Sequence, residues 1–488
     1  MPPPYRACAL NNNLSIRQTE GETEMASIKQ LFSARDMTLG SPWKRILEFS
    51  VPMLLGNLAQ QLYNTADSII VGRYVGDNAL AAVGSAGPIL NLLLALFVGI
   101  ATGAGIVVSQ SFGAKDREGL TQSIGNCIAL SAVASVVIMI LGPLISMPML
   151  ELLGTPESII DWCRDYLNVF FVGIVGFFFY NMLSGVLRGL GDSVSALGFL
   201  LVAAALNVVL DIVFVANFHM GVPGVALATV IAQAISAVLC YGKLIRMREL
   251  FDLNLRTMKL IPAVAGRILR IGIPSGVTQA IMATAGMVVL NLTNAMGETV
   301  IACNVIIMRV DGFAMMPNFT FGQAMSVYTG QNVGAGKLDR VDKGVKQGGV
   351  IALAFSAVIT LVLLFLGKYL FAMFTETESL IALASRMIRL MAVGYICISV
   401  TQVLGGVMRG AGDTVRPMWI SVISTILIRV PVAYLLAYLT RSEEYPHGKP
   451  DALFLSLMIS WTLGMVMTIV VFRRGKWKEK MYASAAEA

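Results

Sequence analysis

The sequence predicts an all-α integral membrane protein with about twelve transmembrane helices in two six-helix lobes. Three observations predict this fold class. Of the 488 residues, 56% are hydrophobic and only 13% are charged, which lies outside the usual range of soluble globular proteins. The chain contains about twelve apolar runs near the roughly 20 residues that cross a bilayer as a helix. The second half of the chain also repeats phrases of the first half.

The apolar runs are predicted to be helices because every backbone polar group in lipid needs a partner within the protein. A membrane-spanning strand would alternate in polarity at every other residue, and that alternation is absent. The predicted spans cover residues 46–70, 87–110, 122–146, 163–187, 194–217, 222–246, 268–292, 302–329, 346–371, 384–408, 415–439 and 452–472.

The repeat is clearest in two phrases, GVLRGLGDS from Gly185 and GVMRGAGDT from Gly406. ILEFSVP from Ile46 and ILRIGIP from Ile268 follow nearly the same spacing of about 221 residues. Each half holds six spans, an even number, so both halves enter the membrane in the same direction. The sequence therefore predicts two lobes related by a pseudo-two-fold axis along the membrane normal, with a cleft between them.

The same pattern divides the chain into five parts. The first 40 residues contain Pro and Asn clusters and no apolar core, which predicts a disordered cytoplasmic tail or an upstream extension of the reading frame, with Met25 or Met37 as the natural start. The parts are a tail (1–40), an N-lobe (41–246), a cytoplasmic linker (247–267), a C-lobe (268–474) and a cytoplasmic C-terminal tail (475–488).

Lys and Arg predict the orientation. They concentrate before the first span, after the last span and in the segments that follow spans two, six and eight, whereas the intervening loops are poor in them or acidic. By the positive-inside rule both termini are cytoplasmic in a multi-pass protein of the cell membrane. The net charge of +7 is thus a topology signal and does not indicate nucleic-acid binding.

Several other functions are disfavoured. The six cysteines are scattered without metal-site or disulfide spacing. GAGK at Gly334 lacks the Ser or Thr that an ATP-binding loop requires after Lys337. With two histidines, His219 and His447, both near loops, the sequence offers no enzyme active site. We therefore expect no enzyme activity, no ATP and no cofactor.

Ionisable residues within spans are costly and mark functional sites. Asp67 lies deep in the first span and Asp211 in the middle of the fifth, with Asn207 four residues earlier on the same helix face. Thr229 adds a hydroxyl from the sixth span. These oxygens suit a hard cation such as sodium, or a carboxylate pair that shares a proton.

A substrate cleft is also predicted. Polar side chains in spans one and four should avoid lipid, and methionines in spans seven and eight offer an adaptable apolar surface. The candidates are Tyr63, Tyr180, Asn181, Met282, Met287 and Met315.

Other charged residues are predicted to have structural roles. Arg429, near the middle of span eleven, is expected to hold the second lobe together by pairing, and the alternative is contact with an anionic group. Arg309 and Asp311, near the outer end of span eight, are expected to make interfacial contacts. Arg188 and Arg409, in the repeated phrases, are expected at cytoplasmic helix ends.

The phrases GVLRGLGD, GVMRGAGD, QLYNTADSIIVGR, ATGAGIVVSQSFGA and YTGQNVGAGK together resemble the multidrug and toxic compound extrusion family, in its bacterial branch. The resemblance runs from about Met37 to Arg474. It implies secondary active antiport, in which sodium ions or protons move inward while small organic, mostly cationic and amphipathic, compounds leave by alternating access. Nothing in the sequence requires more than a monomer.

The resemblance places the first-lobe cation site at Asp67, Asn207, Asp211 and Thr229. Some members carry acids in spans seven and ten of the second lobe, where this chain has Met282 and Ser399. The alternative is a lipid-linked precursor flippase of the same superfamily architecture, for which a more cationic central cleft would be expected.

Overall fold

The computed structural model describes residues 34–152, 154–479 and 481, except the side chains of residues 77 and 88. Two sets of helices follow one another. The first comprises α1 (Pro42–Tyr74), α2 (Asp77–Ala114), α3 (Arg117–Leu152), α4 (Glu157–Val172), α5 (Ile174–Gly189), α6 (Ser193–Asp211), a π-helix (Ile212–Asn217) and α7 (Gly221–Ile245). The second comprises α8 (Pro262–Ala295), α9 (Glu298–Gly334), α10 (Leu338–Ala372), α11 (Glu378–Gly410), α12 (Val415–Ser421), a second π-helix (Val422–Arg429), α13 (Val430–Leu439) and α14 (Asp451–Arg473).

The all-α membrane fold is confirmed. Within the described residues, ten helical segments are long and apolar enough to cross a membrane, and α4 with α5 makes an eleventh span bent by 55°. Helix α1 does not qualify by composition because it carries Asn57, Gln60, Asn64 and Asp67, which line an internal cavity and do not face lipid. Counted by position, α1 completes the predicted set of about twelve.

The predicted linker 247–267 is wrong in its last third, because α8 begins at Pro262. Proline favours the first turn of a helix, where its missing N–H costs nothing. The remaining segment is held against α3 by Arg117, whose guanidinium donates to the Asp252 carboxylate at 2.9 Å. This hydrogen bond lowers the pKa of Asp252.

Three spans depart from regular α-helix. The fourth breaks at Gly173, between α4 and α5. The fifth changes to a π-helix directly after Asp211, and the eleventh contains the π-helix that ends at Arg429. Such distortions are frequent at functional sites, and here they flank two intramembrane charges.

The two lobes meet most extensively where α2 crosses α8. Gly99 and Gly103 of α2 lie against Gly276 and Gly272 of α8, and a Cβ atom on Gly103 would lie 2.6 Å from the Gly272 nitrogen. Only glycine fits at such a distance. The crossing is therefore a backbone-to-backbone contact of the kind that small residues four apart allow in membranes.

Two glutamines join the lobes reciprocally at the end of the bundle where the basic segments lie, here called the basic end. Gln110 of α2 donates from Nε2 to the Gly410 carbonyl at 2.9 Å. Gln331 of α9 donates in the same way to the Gly189 carbonyl at 3.0 Å. Both donors and both acceptors are 221 positions apart. The basic end is thus closed by two equivalent bonds.

The predicted disordered tail is wrong for residues 34–40, while residues 1–33 lie outside the described part of the chain. Met37 is 1% exposed, and its N–H donates to Gln331 Oε1 at 2.8 Å. Lys337 donates to the Thr38 carbonyl at 3.0 Å, and Arg340 donates to the Gly40 carbonyl at 2.9 Å. This segment is ordered because its carbonyls satisfy charged donors of the C-lobe.

Candidate functional site

The predicted ion site is assembled in the N-lobe where α1, α6 and α7 meet. The Asp67 and Asp211 carboxyl groups lie within hydrogen-bonding reach of each other. Asp211 is fully buried, whereas Asp67 is half-buried. Two carboxyl groups this close require a proton or a cation between them, because their negative charges repel in a medium of low dielectric constant.

Asn207 connects the carboxyl pair to α7. With its amide oriented to satisfy both neighbours, Asn207 donates to Asp211 Oδ2 at 3.0 Å and accepts from the Thr229 hydroxyl at 3.2 Å. Tyr63 and Thr229 line the same cavity beside this network. The structure therefore brings together all four residues predicted for the ion site and adds Tyr63.

The carboxyl pair retains unused binding capacity. Oδ1 of Asp67 and Oδ1 of Asp211 are both buried, and neither has a hydrogen-bond partner among the described residues. Unsatisfied buried acceptors are costly unless they bind something. The two oxygens are the atoms to which a proton or a hard cation would bind.

A cavity of about 730 Å³ gives access to this site. Asp67, Tyr63 and Thr229 line it, whereas Asp211 and Asn207 lie behind them. The predicted cleft residues Tyr180 and Asn181 line the same cavity from α5. Asp67 therefore stands between the cavity and the buried Asp211.

The C-lobe has its own cavity, of about 890 Å³, which contains the methionines predicted for the substrate cleft. Met282, Met287 and Met315 all line it. Some residues line both cavities, so the two spaces adjoin at the interface between the lobes: Asn57, Gln60, Asn64, Asn91, Ala283 and Gln323. Both volumes are of the size of drug-binding pockets.

The prediction of an interfacial role is wrong for Asp311. Its carboxylate accepts a hydrogen bond from the Tyr395 hydroxyl at 2.8 Å and lines the C-lobe cavity together with Arg429. Among the described residues Arg429 makes no ion pair within 4 Å, and its Nε is buried without a partner. The expected pairing role of Arg429 is therefore not seen as a direct contact. Arg309 is exposed, as an interfacial residue would be.

Two further expectations concern the second lobe and the repeated phrases. Ser399, one of the two second-lobe positions that the resemblance singled out, is 1% exposed, and its hydroxyl has no partner among the described residues. Arg188 and Arg409 do lie at helix ends, but their side chains turn inward and line a small cavity between the lobes. They are therefore internal charges and not surface charges.

Sequence reasoning underrated Asp311 and missed Tyr395 because the predicted span of α9 begins four residues too late. That placed Asp311 near an apparent helix end, whereas α9 begins at Glu298 and Asp311 is one-third of the way along it. The pairing of α2 with α8 did leave a signal, since G-x-x-x-G occurs at Gly99 and again at Gly272.

Comparison with known proteins gives one family. The model of the MatE family matches residues 52–213 and 274–435, one stretch in each lobe. Among curated proteins, the chain is 27% identical over 429 residues to the probable multidrug resistance protein YoeA of Bacillus subtilis, covering 86% of this chain and 92% of that protein. It is 29% identical over 454 residues to the probable multidrug resistance protein YpnP of the same organism, covering 91% and 98%.

Solved structures agree on the fold. An outward-facing conformation of a multidrug resistance MATE family transporter of the MOP superfamily aligns with a TM-score of 0.82 at 23% identity, covering 92% of this chain and 98% of that one. A MOP superfamily transporter from Pyrococcus furiosus aligns with a TM-score of 0.82, also at 23% identity, covering 90% and 97%. At this identity the likeness establishes the architecture alone.

Proposed function

Because this chain belongs to the MatE family of multidrug efflux transporters, we propose that it is a secondary active antiporter that exports organic, mostly cationic compounds in exchange for inward sodium ions or protons. The observation that carries the proposal is the Asp67–Asp211 carboxyl pair, which borders a drug-sized cavity. Ion coupling requires at least one site that binds the ion in one arrangement of the lobes and releases it in the other.

The direction of transport follows from the charge distribution. The basic end is assigned to the cytoplasm, with both termini there and the protein in the cell membrane. The basic end is closed by the Gln110 and Gln331 bonds, whereas the C-lobe cavity lies in the other half of the bundle and the N-lobe cavity extends from Asp67 inward as far as Arg188. In this state an ion from outside can reach Asp67 and a substrate can leave.

Coupling follows from the position of Asp67. A proton or sodium ion at the carboxyl pair cancels charge that would otherwise attract an organic cation into the N-lobe cavity. Ion and substrate therefore compete for one negative site, and each favours the lobe arrangement in which it binds more tightly. The C-lobe cavity, with Asp311 beside methionines, offers an organic cation a second acidic and apolar surface.

The test is transport of a fluorescent organic cation by the full chain in proteoliposomes, under an imposed sodium gradient and, separately, an imposed pH gradient. We expect one of the two gradients to drive uptake into vesicles, and Asp67→Asn and Asp211→Asn each to abolish it at matched protein content. Asp342→Asn is the matched control, because that exposed carboxylate pairs with Lys478 at the surface, away from both large cavities. Equal transport by wild type and Asp67→Asn, or transport that needs neither gradient, would overturn the proposal.

A further inference from the structure

A small cavity of about 50 Å³ lies between the lobes, close to the basic end. Its lining is symmetric, because four pairs of residues that are 221 positions apart contribute to it. These pairs are Thr102 and Gln323, Gly105 and Ser326, Ile106 and Val327, and Arg188 and Arg409. The pseudo-two-fold axis that relates the lobes therefore passes through this cavity.

The repeated phrases explain why both arginines arrive there. In the first phrase, Gly185 and Gly189 bring α5 against α2, and a Cβ on Gly189 would lie 2.6 Å from the Gly105 carbonyl oxygen. In the second phrase, Gly406 and Gly410 bring α11 against α9 in the same way. The glycines let each helix approach its neighbour closely. Each arginine is thereby placed where its side chain enters the space between the lobes.

The acids of the same phrases do not neutralise the arginines. Asp192 accepts from the Ser195 N–H at 2.9 Å and lies 3.8 Å from Lys243, so it caps α6. Asp413 is bonded to Arg416. Gly191 and Gly412, with φ of 82° and 88°, turn the chain between each arginine and its aspartate. Each phrase thus directs its aspartate to the following helix and its arginine to the axis.

Hydrogen-bond donors outnumber acceptors in the cavity. Arg188 donates to the Ser184 hydroxyl at 2.6 Å. Within the described part of the chain, Arg409 has no hydrogen bond and no carboxylate within ion-pair distance, and the Ser326 hydroxyl is buried without a partner. The two arginines end α5 and α11, where the helix dipole supplies only about half a negative charge each. Two buried cations from opposite lobes are therefore incompletely compensated.

We propose that this cavity binds one small inorganic anion of halide size, held on the pseudo-two-fold axis between Arg188 and Arg409. The anion accepts hydrogen bonds from both guanidinium groups, and the Ser326 hydroxyl is placed to add a third. The ligand class follows from the donors, since none of the described residues that line the cavity carries a carboxylate that would attract a cation.

The size of the cavity limits the ligand. Pockets for drug-sized compounds measure roughly 300–1,000 Å³, so a space of about 50 Å³ excludes the exported compound and a lipid pyrophosphate group. A space of this size holds a halide and a few waters at most. Met53, Arg188 and Gln323 also line the N-lobe cavity, so the small cavity adjoins that space, but its lining includes none of the ion-site residues.

An anion at this place would act on the lobe arrangement. The two arginines belong to different lobes and share one cavity only while the basic end is closed. A bound anion therefore stabilises the closed basic end, and its loss leaves two like charges that push the lobes apart. The anion thereby shifts the equilibrium between the two arrangements of the lobes.

The first test is direct binding of chloride to the purified full chain, measured by ³⁵Cl NMR line broadening with gluconate as the replacement anion. We expect saturable broadening for wild type and an affinity at least about tenfold lower for Arg188→Gln and Arg409→Gln, because each loses a charge-assisted hydrogen bond. Arg386→Gln is the matched control, since Arg386 pairs with Asp451 outside this cavity. No saturable broadening for wild type, or equal broadening for the double variant R188Q/R409Q, would overturn the proposal.

The second test measures the lobe arrangement by electron paramagnetic resonance. Spin labels at Glu118→Cys and Asp339→Cys, exposed and 221 positions apart, report the distance across the basic end once the native cysteines are replaced by alanine. We expect shorter distances in chloride than in gluconate, and short distances in both salts for R188Q/R409Q, which lacks the repulsion. Identical distance distributions in chloride and gluconate for the labelled protein with both arginines would contradict the proposed anion site. Neither test involves transport of an organic cation, so failure of the anion site and failure of the antiport proposal are distinguishable.

Discussion

The carboxyl groups of Asp67 and Asp211 come from helices that are separated by more than 100 residues of chain, yet they lie within hydrogen-bonding reach of each other. Asp67 faces the N-lobe cavity and Asp211 is buried behind it. An ion that enters from the cavity therefore meets Asp67 first and reaches the fully buried carboxyl second. We therefore expect the side chains that contact the Asp67–Asp211 pair to control its affinity for the ion.

Thr229→Val should weaken ion binding without unfolding the protein. Its hydroxyl donates to Asn207, so its loss leaves the Asn207 amide oxygen with one partner fewer beside Asp211. We expect about a tenfold increase in the ion concentration that gives half-maximal transport, because an unmade buried hydrogen bond costs about 1–3 kcal/mol. Thr229→Ser, which keeps the hydroxyl, is the control and should behave like wild type. An unchanged ion dependence for Thr229→Val would show that this network does not tune the site.

Gly103→Ala should destabilise the crossing of α2 and α8. The added Cβ would lie 2.6 Å from the Gly272 nitrogen, so the helices must separate. Overpacking of this kind costs about 1–3 kcal/mol and should lower the midpoint of thermal unfolding. Gly84→Ala in the same helix is the control, since a Cβ there meets nothing within 4 Å. If both variants unfold at the wild-type temperature, the backbone contact is not important for stability.

Gln110→Leu and Gln331→Leu should each open the basic end. Each removes one of the two equivalent bonds to the carbonyls of Gly410 and Gly189, together with the acceptor of the Arg267 guanidinium or of the Met37 N–H. At about 1 kcal/mol per bond, loss of the equivalent bond should raise the open-to-closed ratio at least about fivefold, as read from the distance between labels at positions 118 and 339. Gln122→Leu, on the surface of α3, should leave the distances unchanged. If only one of the two variants opens the basic end, the two glutamine bonds do not contribute equally to its closure.

Tyr395→Phe should destabilise the C-lobe. The lost hydroxyl is the donor to the Asp311 carboxylate at 2.8 Å, and a partly buried carboxylate without its donor costs about 1–3 kcal/mol. Thermal unfolding of the purified protein measures the effect. Tyr434→Phe is the control, because its exposed hydroxyl makes only a 3.3 Å contact with the Val288 carbonyl. Equal unfolding temperatures for the two variants would mean that water replaces Tyr395.

Much of the architecture could be predicted from the sequence because apolar length and repetition are local signals. The two-lobed helical fold and the family are confirmed, and the structure places Asp67, Asn207, Asp211 and Thr229 together. Their role in ion coupling stays a prediction. The predicted spans at α8 and α9 are shorter than the observed helices, because polar residues at the ends of a span can remain helical.

Other features depend on contacts between distant segments and left weaker signals. The π-helices after Asp211 and before Val430 have no distinctive composition. The side chains of Arg188 and Arg409 point inward because glycines set the spacing of their helices. From the sequence alone, a charged residue at a helix end is expected at the surface. Residues 34–40 looked disordered because their partners Gln331, Lys337 and Arg340 lie about 300 positions away.

The position of the glycine crossing along α8 determines how far each end of the helix moves when the lobes rotate relative to each other. From Gly276, α8 extends about 21 Å to Pro262 on the basic side and about 29 Å to Ala295 on the other side, at about 1.5 Å per residue. If the lobes rock about this fulcrum, a rotation of given size moves the far rim of the cavities about 1.4 times as far as the basic end. A small separation at Gln110 and Gln331 would then suffice to shut the wide exit above Asp67.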